Sequence, residues 1–419
     1  MNRFVFYPDN ITSSNEFAYI IRECQLEATV VVSSDEIKKK FEGISGLEFV
    51  YLYKKKQLSK VGAQKKKRKY YPKLLLVPLQ VLRFYKRYCF FSKSLSSKKI
   101  TAIIATDRSY ADGFVMPFYF FCKKKNIRMI IPSTANFADK ESMLKARFAK
   151  DDSFKPTFIE KLLLTRFIER IMGVELIYYS IDIILTFFFF GVLSKNPWVM
   201  GANNNAILCL NNDTQAKKMI DHGVNKENIA ITGSYKITQN FNNARERVEV
   251  VGFSLPQMFE HNILPWDEHI NIIEAILFEL TFLNVRVVVF LHPKMDRDNY
   301  KYLETKFNCH IASKRTDVGI MDVDLYISTF STTVLTATIF GIPSLVIDCF
   351  DAKYTMYDEY SSISVFDDVP TLIALCRDII ANEECYQQLK AKTNSDSKLI
   401  EVNPGMGMIN LKKLIQNDI

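Results

Sequence analysis

Two hydrophobic textures alternate along this chain. Short continuous runs of Val, Ile, Leu and Phe are separated by longer segments in which apolar residues recur every three to four positions. In the first half the runs are Arg3–Tyr7, Ala28–Ser34, Leu47–Tyr53, Ile100–Asp107, Ile127–Ser133, Ala206–Asn211 and Asn228–Ser234. In the second half they are Val248–Leu255, Val285–Pro293, Cys309–Ser313, Asp324–Thr329 and Pro343–Asp348. Continuous runs, rather than strict apolar–polar alternation, mark strands covered on both faces. Helical patterns between them, such as Asp267–Leu283, predict βαβ units and parallel sheets. The polar stretch Gln239–Glu249 separates the two sets. The expected fold class is α/β, with two Rossmann-like doubly wound domains facing a cleft. They span residues 1–240 and 245–400, and residues 401–419 form a tail or helix. Ligands in such sheets bind beyond the carboxyl ends of the strands. No GxGxxG loop is present, so the dinucleotide fingerprint is absent.

Length agrees with more than one core, since 419 residues exceed an ordinary single domain. The eight cysteines are scattered without a CxxC pair, and the five histidines lack metal-ligand spacing. That argues for a reduced, cytoplasmic setting over a zinc site or a disulfide framework. The opening MNRFVFYPDN reads at once as a strand, without the apolar core of a secretory leader.

The net charge of +9 is unevenly spread. Between Glu48 and Asp107 there are 16 Lys and Arg and no acidic residue, so the rest of the chain sums to 9 − 16 = −7. Within this block, about 54–99, basic residues interleave with Leu, Val, Phe and Tyr. It reads either as a solvated surface or as contact with an anionic membrane face. No motif for nucleic acid accompanies it. A second apolar stretch, Gly173–Leu193, has 21 residues but contains Glu175 and Asp182. It is expected to be a buried or membrane-dipping helix rather than a span.

Candidate chemistry lies just after the strands. "VVVFL" ends at His292-Pro293, where a histidine can donate to a phosphate and the proline fixes the turn. A structural turn is the competing reading. "DLYIST" leads into Phe330, Ser331, Thr332 and Thr333 and then a helical pattern closed by Gly341. Hydroxyls at a helix start cap its free amides, and such a terminus also accepts anions. Gln257 and His261 follow the first strand of the second half, and Asp351 and Tyr354 follow "PSLVID". These four are further candidates for donor contact.

The strand-end HP, then "STFSTT" at a helix start, then "GIPSLVID" resembles the C-terminal domain of GT-B glycosyltransferases. The branch it is similar to works on bacterial surface polysaccharides. It includes HP-motif sialyltransferases, teichoic-acid glycerophosphotransferases and, more distantly, hydrolysing UDP-N-acetylglucosamine 2-epimerases. The segment Asn196–Lys236 resembles the last αβ unit of such N-terminal domains. The resemblance implies that His292 contacts the donor phosphate while Ser331 and Thr332 close on it. It implies a nucleotide-sugar donor, CMP- or UDP-linked, as substrate, with no cofactor and no metal. The acceptor would be a glycan or lipid-linked glycan of capsule or lipopolysaccharide, met at the inner face of the cytoplasmic membrane. An inverting transfer needs one carboxylate near the acceptor hydroxyl. The family's acidic-acidic-Gly triplet is here Ala111-Asp112-Gly113, so Asp112 and Asp107 are the candidate bases, with helix capping the alternative for Asp112. Thr329-Phe330-Ser331-Thr332 stands where the glycerophosphotransferases show Asp-Tyr-Ser-Ser. No acidic residue falls in "TFSTTVLTATIFG", where the epimerases carry them. Polyol-phosphate transfer, epimerisation and a non-catalytic role in polysaccharide assembly remain the alternatives.

Overall fold

The computed structural model describes residues 4–52, 73–95, 100–108, 113–132, 140, 144, 154–171, 173–194, 196–237, 245–260, 264–292, 295–348, 355–401 and 404–416. The first half runs β1 (Phe4–Tyr7), α1 (Ile11–Cys24), β2 (Ala28–Val32), α2 (Asp35–Lys39), β3 (Leu47–Tyr51), α3 (Val77–Ser94), β4 (Thr101–Ile104), α4 (Val115–Lys124) and β5 (Arg128–Ile131). It continues with α5 (Phe158–Leu163), β6 (Ile168–Ile171), β7 (Val174–Ile177), α6 (Ile181–Phe190), β8 (Ala206–Leu210), α7 (Asp213–Asp221) and β9 (Ile229–Ile231). The second half runs β10 (Val250–Ser254), α8 (Trp266–Thr281), β11 (Arg286–Phe290), α9 (Arg297–Tyr300), α10 (Tyr302–Phe307), β12 (His310–Ile311), α11 (Thr316–Gly319), β13 (Leu325–Ser328) and α12 (Thr332–Ile339). Then come β14 (Ser344–Ile347), β15 (Ile363–Phe366), α13 (Val369–Ala381), α14 (Glu383–Ile400) and α15 (Gly407–Gln416).

Two compact units result. The first holds the described residues of Met1–Asn136, Asp151–Lys236 and Met406–Ile419. Its sheet is ordered β3-β2-β1-β4-β5-β8-β9, with every pairing parallel. One face packs Phe6, Val30, Ile103 and Ile130 against α1 and, from the far end of the sequence, Leu411, Leu414 and Ile415 of α15. The other carries an aromatic layer in which Phe91 sits 5.1 Å from Phe118, and Phe84 stacks on Phe190 at 4.2 Å. α15 is seated closely. A Cβ on Gly407 would lie 2.3 Å from the Ser234 carbonyl oxygen, and Asn410 Nδ2 donates to the Thr232 carbonyl at 3.1 Å.

The second unit is built mainly on Ile237–Gly405. Its six strands run β12-β11-β10-β13-β14-β15, again all parallel. Buried side chains cover both faces. Val251, Phe253, Val289 and Ile327 meet α8, α13 and α14 on one side, while Val250, Tyr326 and Val346 meet α12 on the other. Such two-sided burial is why these strands read as unbroken apolar runs. Gly341 turns α12 into β14 with φ +69°, where a Cβ would also meet Asn394 Oδ1 at 2.6 Å. In both units the order reverses between the first and fourth strands, β1/β4 and β10/β13.

The stretch Gly173–Leu193 is not a single helix. Its start is β7, paired antiparallel with β6, and only Ile181–Phe190 is helical. Glu175 explains the first part, since it pairs on the hairpin with Lys161 at 2.7 Å and Arg170 at 3.1 Å. Ser180, in extended conformation, breaks the run, and Gly191 ends the helix in the left-handed region. Among the described residues no helix is long and apolar enough to cross a membrane. Residues 53–72, the most basic part of the block, lie outside the described residues.

Candidate functional site

In the second unit the candidate residues gather beyond the carboxyl ends of adjacent strands β11, β10 and β13. The parallel register places Ser254 beside Phe290 and Phe253 beside Ile327, so the residues just beyond these strands share one edge of the sheet. His292 follows β11 by two residues and is half-buried. Its carbonyl accepts from Met295 N at 2.8 Å and its amide donates to Met295 Sδ at 3.3 Å. These contacts with the buried Met295 hold the histidine at the strand end. Pro293 lies outside the described residues, as do His261, Asp351 and Tyr354.

Ser331 is the N-cap of α12, its Oγ accepting from Thr333 N at 3.3 Å. Ser331, Thr332 and Thr333 are all half-buried. Their hydroxyls do not act separately. Ser331 Oγ lies 2.8 Å from Thr333 Oγ1, which lies 2.7 Å from the Tyr326 hydroxyl, which lies 2.6 Å from Ser254 Oγ. The chain of four hydroxyls runs from β10 to the α12 terminus, across the point where strand order reverses. Burial pushes the Tyr326 phenol above its ordinary value, so it stays protonated and can donate. Tyr357 fixes the cap from the other side, accepting from Ser331 N at 2.9 Å and donating to Ser331 O at 2.7 Å. Its ring stacks on Phe330 at 5.7 Å. The result is a helix terminus with locked geometry, its Ser331 and Thr333 amides bonded within the cap.

Gln257 also stands at this edge, half-buried after β10, with Oε1 buried and lacking a hydrogen-bond partner among the described residues. Nearby, His269 Nε2 lies 2.9 Å from the Tyr300 hydroxyl, which donates to Glu260 Oε1 at 2.7 Å. Sequence reasoning missed Ser254, Tyr326 and Tyr357. A tyrosine inside "DLYIST" and a serine closing "VEVVGFS" were the available signals, polar groups at the ends of otherwise apolar strands.

In the first unit Asp107 follows β4 and is completely buried. Its Oδ1 accepts from Gly201 N at 3.0 Å and its Oδ2 from Asn203 N at 3.3 Å, while its carbonyl accepts from Asn203 Nδ2. Burial raises its pKa, against which these amides and Arg108 pull downward. In this geometry Asp107 clamps the loop before β8 and presents no open oxygen to an acceptor. Asp112 lies outside the described residues. Its neighbour Gly113 is described, and the Gly113 carbonyl accepts from Arg87 Nη1. The Arg87 guanidinium lies 4.6 Å from the Phe114 ring centroid.

Two Asp-X-Asp strings serve structure. Asp296 caps α9, and Asp324 accepts from Glu249 N and Val250 N, both at 2.8 Å, and pairs with Arg245. Among the described residues no group of three or more His, Cys, Asp or Glu could hold a metal ion.

No family model and no curated protein matches this sequence. Solved structures do resemble the fold. LpCGTa in complex with UDP is 12% identical with a TM-score of 0.55, covering 99% of each chain. The wall teichoic acid polymerase TagF, as an H444N variant with CDPG, is 12% identical with a TM-score of 0.53, covering 99% of this chain and 88% of that one. The calicheamicin glycosyltransferase CalG4 is 11% identical with a TM-score of 0.50, covering 99% and 98%. The chain therefore has the fold of the GT-B glycosyltransferases.

Proposed function

We propose that this protein is a glycosyltransferase that moves a sugar from a nucleotide-sugar donor onto a bacterial surface polysaccharide. The observation that carries the reading is the hydroxyl chain Ser254–Tyr326–Thr333–Ser331 beneath the α12 terminus. It fixes a phosphate-compatible helix end on the same sheet edge as His292. The donor's phosphates would meet the Thr332 amide and the hydroxyls at this terminus, the Ser331 and Thr333 amides being engaged within the cap, and His292 would donate to the departing phosphate. Charge stabilisation of this kind is worth ~3 kcal/mol per donor group. Asp112 is the proposed base for the acceptor hydroxyl, in a metal-independent, inverting transfer. The donor would be CMP- or UDP-linked, the acceptor a capsule or lipopolysaccharide glycan, free or lipid-linked. The protein would work at the inner face of the cytoplasmic membrane.

Polyol-phosphate transfer is the second reading, favoured by likeness to TagF, whose structure was solved with CDPG. A melting-temperature shift against CMP, CDP, UDP, GDP and ADP separates the two. A ligand at about 100 times its dissociation constant adds ~2.7 kcal/mol. A shift with CMP or UDP supports sugar transfer, and one confined to CDP supports polyol-phosphate transfer. No shift with any nucleotide would sink both and favour a non-catalytic assembly role.

A further inference from the structure

Helix α5 is inside out. Its acidic residue, Glu160, is buried, while Phe158 is 81% exposed and Leu162 70% exposed. Glu160 Oε1 accepts from Ile181 N at 3.0 Å and from Lys73 Nζ at 3.2 Å, and Oε2 accepts from Thr157 N at 2.9 Å. These bonds tie α5 to the start of α6 and to the turn Lys73–Leu76 that precedes α3. α6 repeats the inversion. Asp182 is buried and accepts from Gln80 Nε2 at 3.2 Å, whereas Phe188 and Phe189 are exposed. On α3, Phe84 and Phe91 are buried, and the opposite stripe of Leu79, Leu82, Arg83 and Lys86 faces solvent. Leu75, on the preceding turn, is 70% exposed.

A folded chain turns apolar side chains inward by default, so this many outward ones on elements bonded to one another need an occupant. Charge says which. The carboxylates of α5 and α6 are buried, Lys73 and Lys161 are paired with Glu160 and Glu175, and Arg83, Lys86 and Arg166 are exposed on the same elements as the apolar residues. Protein interfaces are depleted in lysine. A bilayer interface suits the mixture, because the apolar residues enter the headgroup–acyl boundary while basic heads meet anionic lipid.

We propose that the outer faces of α5, the end of α6, and the Leu75–Lys86 stripe together form a docking surface for an anionic lipid bilayer. This deepens the membrane-face location given above and is independent of the donor chemistry. It involves surface insertion only, with no span.

The test is flotation of the full-length protein with vesicles of phosphatidylcholine alone or mixed with phosphatidylglycerol. The protein should float with the mixed vesicles and stay free of the neutral ones, and raising salt to about 0.5 M should release it several-fold. The double variants F158S/L162S and F188S/F189S should each cut the bound fraction at least about fivefold with melting temperature unchanged, since the side chains are already solvated. R83E/K86E should abolish the preference for phosphatidylglycerol. Wild-type protein that ignores both vesicles, or variants that float like wild type, would overturn the proposal. So would light scattering that shows a dimer dispersed by the serine variants without vesicle binding, since a second copy would then cover this face. The assay contains no nucleotide, so its failure and a failure of the donor reading are separate results.

Discussion

The hydroxyl of Tyr326 lies 2.6 Å from Ser254 Oγ and joins β13 to β10 where the order of the strands reverses. The ring is fully buried, so this bond and the one to Thr333 cannot be replaced by water without rearrangement. Tyr326→Phe should lower stability by about 1–2 kcal/mol, read by urea denaturation. It should also loosen the Ser331 cap, so that the nucleotide-induced melting shift shrinks by more than the stability loss alone explains. An intact shift would mean the hydroxyl chain only supports the fold.

His292 is half-buried at the end of its strand, and its backbone amide and carbonyl both bond to Met295. His292→Ala should therefore leave the circular dichroism spectrum and melting temperature in place. Turnover should fall about a hundredfold, the cost of removing one donor to a developing charge. Unchanged turnover would return His292 to a structural role.

The two candidate carboxylates should respond differently. Asp107 binds two backbone amides in full burial. Asp107→Ala strands those amides and should cost about 3 kcal/mol, visible first as poor solubility or a lowered melting point. Asp112→Asn should leave stability alone and remove transfer activity. Activity surviving in Asp112→Asn would take the base away from that position.

His269 gives the stability a pH dependence. It is completely buried, and burial holds its pKa below the ordinary 6.5, the charge of Glu260 pulling the other way. On unfolding, the imidazole regains its usual affinity for a proton. The unfolded state then binds more protons, so stability is full above pH 6.5 and is lost as pH falls through it. Melting temperature should drop between about pH 7.5 and 5.5, and His269→Gln should flatten that drop.

Glu160 is the hub of the outward-facing region, with four donors on one buried carboxylate. Glu160→Ala should destabilise the protein by about 3 kcal/mol. Hydrogen exchange should quicken first in α5 and at the start of α6.

Most of the sheet was legible because its strands are buried on both faces, and β-branched residues therefore run unbroken, as in Ala28–Val32 or Arg286–Phe290. β15 escaped because it lies at the edge, where Ser364 and Val365 interrupt the pattern of burial. The run Gly173–Leu193 misled because hydropathy alone hides the break at Ser180. The placement of His292 and Ser331 beyond strand ends could be read because each follows an unbroken apolar run. The role of Asp107 could not, because its partners Gly201 and Asn203 stand more than ninety residues along the chain. Nor could Tyr326 be told from an ordinary strand tyrosine without the facing Ser254.

α15 completes a core that the chain began some four hundred residues earlier, with Gly407 pressed on Ser234 and Leu411 and Ile415 buried beside α1. The amino-terminal unit is thus a split body, and a gene fragment stopping at residue 240 encodes it without its last piece. Such a fragment should be poorly soluble alone and be rescued in trans by a synthetic peptide of residues 404–419. Ribosomal synthesis meets the same constraint, since this unit cannot finish folding until α15 has emerged.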